Sequence, residues 1–357
     1  MGISFYTIDV GHGLCQVIRF GRRAILIDGG GKISKPIAEE FLKRYVDVIV
    51  AYVATHNDSD HVGAAPELLD IYPTKAKLNH IWLLFDRPAK KPEQSADEII
   101  PLLAYARKRK QDETIDDWFP LYVEDIPAGC QAKIIHDEPA ENAQLQLIYP
   151  KMKDGSSAFL RGRPNAEETN QSSAVLRLVV GGRKSKASAL ITGDANCRGF
   201  QQAREVYRFD LSARVISMPH HGGHIPVPEG AAKWDEIIDW VSPEIAVVSA
   251  GYSTVPGPTT TQRAAFDPLL RHGVKICCTQ ITRHCHPNFE TLHPGIMTPR
   301  RYPQMSGHKD YPHAVGCAGT IAVKVNATGN VELFDHDRHQ QEVNAKVVAT
   351  GSHPHCR

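Results

Sequence analysis

The run Val46-Asp47-Val48-Ile49-Val50-Ala51-Tyr52-Val53 is apolar at every position but one, which predicts a buried β-strand. It leads into Thr55-His56-Asn57-Asp58-Ser59-Asp60-His61, where two imidazoles and two carboxylates fall within six residues. A loop so dense in metal-binding side chains, at a strand's end, predicts a metal site. It also predicts a fold that carries its chemistry where strands stop.

The rest of the chain is built to match. Short β-branched runs recur at 3–10, 14–20, 24–28, 46–55, 81–85, 145–149, 174–180, 187–192, 215–218, 245–250, 274–279 and 320–325. Helical periodicity falls at 36–44, 64–71, 96–110, 198–207, 233–240 and 262–272. The opening is nearly all strand with tight glycine turns, and the remainder alternates. That order predicts two sheets with helices outside rather than one doubly wound sheet. Segments 86–135, 150–169 and 280–316 read as insertions into one domain over 1–340, with 341–357 a C-terminal tail.

Charge narrows the partners. The chain has 41 basic and 40 acidic residues, a formal net charge of +1, so no global field draws it to nucleic acid or membrane. Local basic clusters exist at Arg107-Lys108-Arg109-Lys110, Arg161 with Arg163, Arg183-Lys184 with Lys186, and Arg300-Arg301. No apolar run approaches the roughly 18 residues that span a bilayer, and the N-terminus lacks a signal-peptide pattern. The expectation is therefore a cytoplasmic chain with no membrane contact. Six of the eight cysteines lie beyond residue 190, and in a reducing compartment they are expected as thiols or metal ligands.

Four further segments place polar groups at strand ends: Asp9-Val10-Gly11-His12-Gly13, Asn170-Gln171-Ser172-Ser173, Thr192-Gly193-Asp194 and Pro219-His220-His221-Gly222. Neutral imidazoles and carboxylates delivered from several loops suit two divalent ions roughly 3.5–4 Å apart, sharing a carboxylate and a hydroxide. Such a pair acidifies water and neutralises charge growing on a phosphoryl or acyl oxygen.

The loop His56-x-Asp58-x-Asp60-His61 resembles the HxHxDH signature of the metallo-β-lactamase superfamily, with Asp58 where the second His usually stands. Together with Asp9–Gly13, Leu26–Gly30, Asn170–Ser173, Thr192–Asp194 and Pro219–Gly222, it is similar to the nuclease-like domain of ComEC-type competence proteins. The resemblance implies an α/β fold, a four-layer αββα sandwich with the metals on the edge between the sheets. It implies His56 and Asp58 at one metal, Asp60 and His61 at the second, Asp194 bridging, and His220 or His221 completing the set. Asp9 and Asn170 would stand behind the ligands. Asp60 and Asp194 would be catalytic, and His12 an added ligand, a general acid or a plain turn residue. His12 and Leu14 occupy the places of Gln and Asp in the family's DVGQGD turn, and the late Gly-His-Pro of many relatives is replaced by Pro256-Gly257-Pro258-Thr259.

An aspartate in place of a histidine makes the site more oxygen-rich, moving the expected metal from Zn²⁺ towards Mn²⁺ or Mg²⁺. It also favours phosphate esters. The leading expectation is a metal-dependent phosphodiesterase, a nuclease acting on DNA, with a protein partner in a DNA-processing or defence system. Two other readings stay open. One is a hydrolase of a small molecule such as a cyclic nucleotide, lactone or thioester; the other is a metal-stabilised scaffold that binds nucleic acid without cutting it. A second cluster, Cys278, Cys285, His286 and Cys317, has the donor types of an additional structural Zn²⁺ that would staple the 280–316 loop.

Overall fold

The computed structural model describes residues 2–71, 78–84, 96–123, 125–126, 129–130, 132–150, 173–181, 187–251, 261–282, 285, 302–311, 314–348 and 354. Two large sheets dominate. The first comprises β1 (Ile3–Thr7), β2 (Cys15–Phe20), β3 (Arg23–Asp28), β4 (Val48–Val53), β5 (Leu78–Leu83) and β6 (Ile115–Pro120). A short ribbon, β7 (Asp125–Ile126) with β8 (Gly129–Cys130), leads to the second sheet. That sheet holds β9 (Lys133–Glu138), β10 (Ala143–Tyr149), β11 (Val175–Val180), β12 (Ala187–Ile191), β13 (Ala213–Ser217), β14 (Ile245–Val248) and β15 (Lys275–Cys278). The chain then returns to the first sheet through β16 (Ile321–Val325) and β17 (Val331–Leu333). The strand orders are β17-β16-β1-β2-β3-β4-β5-β6 and β15-β14-β13-β12-β11-β10-β9.

Parity along the strands produces the layers. In β3, Ile25 and Ile27 enter the core between the sheets, while Ala24 and Leu26 face the helix Lys35–Tyr45 side. In β14, Ile245 and Val247 point inward, and Ala246 and Val248 face the layer containing the helices Trp234–Val241 and Arg263–Arg271. Strands covered on both faces need apolar residues at successive positions, which is why β4 and β14 show no alternation. Each fully buried Ile or Leu contributes about 1.5–3 kcal/mol through its loss of contact with water. The result is the αββα sandwich that the resemblance implied.

Two expectations change. The stretch 86–135 is not simply inserted: the helix Ala96–Gln111 and the edge strand β6 lie within it and belong to the main layers. The 115–120 run, Ile-Asp-Asp-Trp-Phe-Pro, carries two acids and a proline, tolerable because it is an edge strand with one neighbour. The boundary between 340 and 341 falls inside a helix, His336–Lys346. That helix is mostly polar, and it is held because His339, Val343 and Val347, spaced at i, i+4 and i+8, are buried against the second sheet's outer layer. The segment 150–169 lies outside the described residues, apart from Pro150. Among the described residues, no helix is long and apolar enough to cross a membrane.

Candidate metal centre

Strands β3, β4, β12, β13 and β14 all release their chains at one end of the sandwich. Three imidazoles there share one arrangement, in which one ring nitrogen is held from behind and Nε2 faces a carboxylate. His61 Nδ1 donates to Asp28 Oδ2 at 2.9 Å, and its Nε2 lies 3.2 Å from Asp194 Oδ1. His221 Nδ1 donates to the Ser249 carbonyl at 3.1 Å, and its Nε2 lies 3.1 Å from Asp60 Oδ2. His56 Nδ1 pairs with Ser173 Oγ at 3.0 Å, and its Nε2 lies 3.2 Å from Asp58 Oδ2. At His61 and His221 the acceptor behind Nδ1 fixes tautomer and ring direction, leaving Nε2 as the nitrogen that can bind a cation, and Ser173 holds the ring of His56 from the same side. Two donors on one tetrahedral ion with bonds of about 2 Å stand roughly 3.3 Å apart, close to all three separations.

Backbone geometry makes the arrangement possible. Asp28, the last residue of β3, sits at φ 54. There its carboxylate accepts from Thr55 N at 2.7 Å and Thr55 Oγ1 at 2.5 Å as well as from His61. Gly193, at φ 49, brings Asp194 past Thr55 so closely that a Cβ would stand 2.7 Å from Thr55 Oγ1. His220 and His221 are both left-handed, at φ 52 and 55. Two successive non-glycine residues in that region cost about 1–3 kcal/mol each, a strain that clusters at functional sites. The kink sends neighbouring imidazoles to different places: His221 reaches Asp60, while His220 Nδ1 stands 3.6 Å from Asp194 Oδ2.

The site's charges are tightly interlocked. Burial would depress the pKa of His61, but Asp194 and Asp28 carry it well above the imidazole range. Burial would raise Asp194, but His61 and His220 hold it well below the carboxylate range. Asp60 is lowered too, as the His221 hydrogen bond and His61 outweigh its burial. His12 is pushed down by burial and by His221. Its Nε2 lies 3.5 Å from Asp60 Oδ2, and its side chain is 30 % exposed at the site's mouth.

The donors fit divalent cations. His56 Nε2, His61 Nε2 and Asp194 Oδ1 are buried and make no hydrogen bond, although carboxylates or imidazoles lie near them. Buried polar atoms aimed at a shared space without hydrogen bonds are what a ligand sphere requires. Asp60, His61 and His221 present donor atoms within 4.8 Å of one another, and no other group of three does so among the described residues.

Several expected members lie elsewhere. Asn170 and His286 are outside the described residues. Asp9 does not face a ligand imidazole; its buried carboxylate accepts from Gln280 Nε2 at 2.7 Å, Ser306 Oγ at 2.6 Å and Ser306 N at 3.0 Å. It fastens the 302–311 segment beneath the Gly11 turn. Cys278, Cys285 and Cys317 are buried in one apolar layer but do not converge as a metal cluster. Cys317 Sγ instead meets His339 Nε2 at 3.6 Å, and Cys285 Sγ meets Thr282 Oγ1 at 3.8 Å. Among the described residues the three sulfurs thus form no three-donor group, and the fourth donor of the expected zinc site, His286, lies outside them. In the basic cluster at 107–110, Arg109 pairs with Asp70 and Lys110 with Asp117, which reduces its hold on phosphate. Asp28, Ser173 and Ser249 are the groups that sequence reasoning left without a role; the first two stand inside the quoted Leu26–Gly30 and Asn170–Ser173 segments.

The Metallo-beta-lactamase superfamily matches residues 8–140, the part carrying Asp28 and His56 to His61. The chain has the metallo-β-lactamase fold. Within that fold it resembles ComEC-type competence proteins. It is 32% identical over 126 residues to competence protein ComA of Neisseria gonorrhoeae, covering 35% of this chain and 16% of that protein. It is 23% identical over 263 residues to ComE operon protein 3 of Bacillus subtilis, covering 68% of this chain and 28% of that protein. The chain thus spans less than a third of either relative's length. Among solved structures, the metallo-β-lactamase fold protein YhfI of Bacillus subtilis superposes with a TM-score of 0.44 at 9% identity, covering 77% of this chain and 96% of that one.

Proposed function

We propose that this metallo-β-lactamase-fold protein is a metal-dependent phosphodiesterase, a nuclease acting on DNA. The observation that carries the reading is the set of three imidazoles with rear nitrogens held and Nε2 atoms turned to carboxylates 3.1–3.2 Å away. Asp60, His61 and His221 would hold one divalent ion, and His56 and Asp58 the other. Asp194 would lie between them, with His220 beside it. Bound there, the ions would supply an acidified water and a counter-charge for a phosphoryl oxygen.

The chain's own residues account for the rest. Asp28 and the Ser249 carbonyl keep His61 and His221 in the tautomer whose Nε2 is a donor to metal. His12, neutral and partly exposed, stands where a substrate oxygen would arrive and can donate a hydrogen bond to it. With Asp58 in the ligand set, Mn²⁺ or Mg²⁺ competes with Zn²⁺ for the site. A DNA substrate and a partner in DNA processing or defence accord with the likeness to competence proteins. Turnover of single-stranded and duplex DNA with Mn²⁺, wild type against Asp194→Ala, tests the reading. Loss of turnover in the variant is expected, and equal turnover in both would remove Asp194 from the mechanism.

A further inference from the structure

One residue of the second sheet touches both sides of the site. Ser249, just past β14, accepts from His221 Nδ1 at its carbonyl, 3.1 Å away, while its hydroxyl donates to the Gly13 carbonyl at 2.6 Å. Two residues on, Gly251 lies against the Gly11–His12 peptide. A Cβ there would stand 1.9 Å from the Gly11 carbonyl carbon and 2.1 Å from the His12 nitrogen. From the opposite side, Leu14 N donates to the Asp60 carbonyl at 3.0 Å. The turn is thus gripped between the metal-binding loop and the end of β14.

His12 needs such a grip. It stands between Gly11 at φ 71 and Gly13 at φ 145, two residues that impose little direction of their own. Yet its Nε2 lies 3.5 Å from Asp60 Oδ2, and its ring centroid is 5.0 Å from that of His221.

We infer that Ser249 and Gly251 are positioning residues that fix His12 relative to His221, so that the substrate-facing imidazole keeps register with a metal-facing one. The inference rests on the hydrolase reading above. Its two contacts are separable, because Ser249 holds His221 through the main chain and Gly13 through the side chain. Ser249→Ala cuts the second and spares the first.

The test uses the full chain, ¹⁵N-labelled at histidine and loaded with Zn²⁺, with DNA turnover measured in Mn²⁺. Ser249→Ala is expected to keep its metal content and melting temperature. It should shift the His12 imidazole signals, identified by their absence in His12→Ala, and leave those of His221 in place. Turnover should fall about three- to tenfold, the scale of one lost neutral hydrogen bond. No further loss is expected when Ser249→Ala is added to His12→Ala, and Ser249→Thr, which keeps the hydroxyl, should restore the signals and the rate. Gly251→Ala should move the same His12 signals further. Metal loss in Ser249→Ala, unmoved His12 signals, or losses that simply multiply in the double variant would overturn the clamp. If the wild type turns over no phosphodiester, the hydrolase reading falls, and the histidine spectra alone still decide the clamp.

Discussion

Two regions of this molecule are rich in metal-binding side chains, and among the described residues only one brings three donors together. At the open end of the sandwich, five histidines and four aspartates from separate loops meet, with rear nitrogens of His56, His61 and His221 held by Ser173, Asp28 and Ser249. At the far edge, Cys277, Cys278, Cys285, Cys317, His336 and His339 supply the same donor types, yet among the described residues no three of them come together as a metal cluster. Cys277 joins His336 and Cys317 joins His339, each at 3.6 Å. Cys277 faces the core between the sheets, whereas Cys278 and Cys317 face the outer layer, so strand parity divides the sulfurs. A donor inventory is therefore not a site; the groups standing behind the donors distinguish one from the other.

The largest contrast is expected at the bridging carboxylate. Asp194→Ala should lower metal-dependent DNA turnover on the order of 10²–10³-fold, the scale of removing one preorganised electrostatic group. Cys285→Ser should leave turnover and bound metal unchanged, and metal loss with Cys285→Ser would break the comparison. Next in size is Asp28→Asn, which keeps the shape but weakens the hold on His61. Isothermal titration with Mn²⁺ should show affinity falling about 10- to 100-fold. An unchanged affinity would mean the rear contact of His61 is dispensable. At the other region the effect should be on folding alone. Val343→Ala, in the helix that covers the cysteine edge, should cost about 1–3 kcal/mol in urea unfolding with metal content intact. The smallest expected change is in metal preference: Asp58→His should raise the ratio of Zn²⁺ to Mn²⁺ affinity several-fold, as nitrogen replaces oxygen.

The two regions also differ in how far the chain declares them. The metal loop is legible because its donors stand close together in sequence and follow a strand whose unbroken apolar run fixes its burial. Asp194 and the His220-His221 pair are legible for the same reason, each following such a strand. What sequence left open is direction. Nothing in Pro219-His220-His221-Gly222 says that both histidines are left-handed, or that His221 rather than His220 reaches Asp60. Asp9 looked like part of the site because it precedes the His12 turn, yet its carboxylate is occupied by Ser306, almost three hundred residues away in the chain. The helix His336–Lys346 escaped because its buried stripe is only His339, Val343 and Val347 on a polar background. For the expected zinc site, spacing along a loop says nothing of the distance between sulfurs: Cys278, Cys285 and Cys317 share one apolar layer without forming a metal cluster among the described residues, and His286 lies outside them.

The central claim is that cations gather at the strand ends and not at the cysteine edge. An anomalous-scattering map from crystals grown with Mn²⁺ tests it most directly. Two peaks are expected, one among Asp60, His61 and His221 and one beside His56 and Asp58, with Asp194 next to both. A map whose strongest peak lay at Cys278, Cys285 or Cys317, with none beside Asp194, would contradict it.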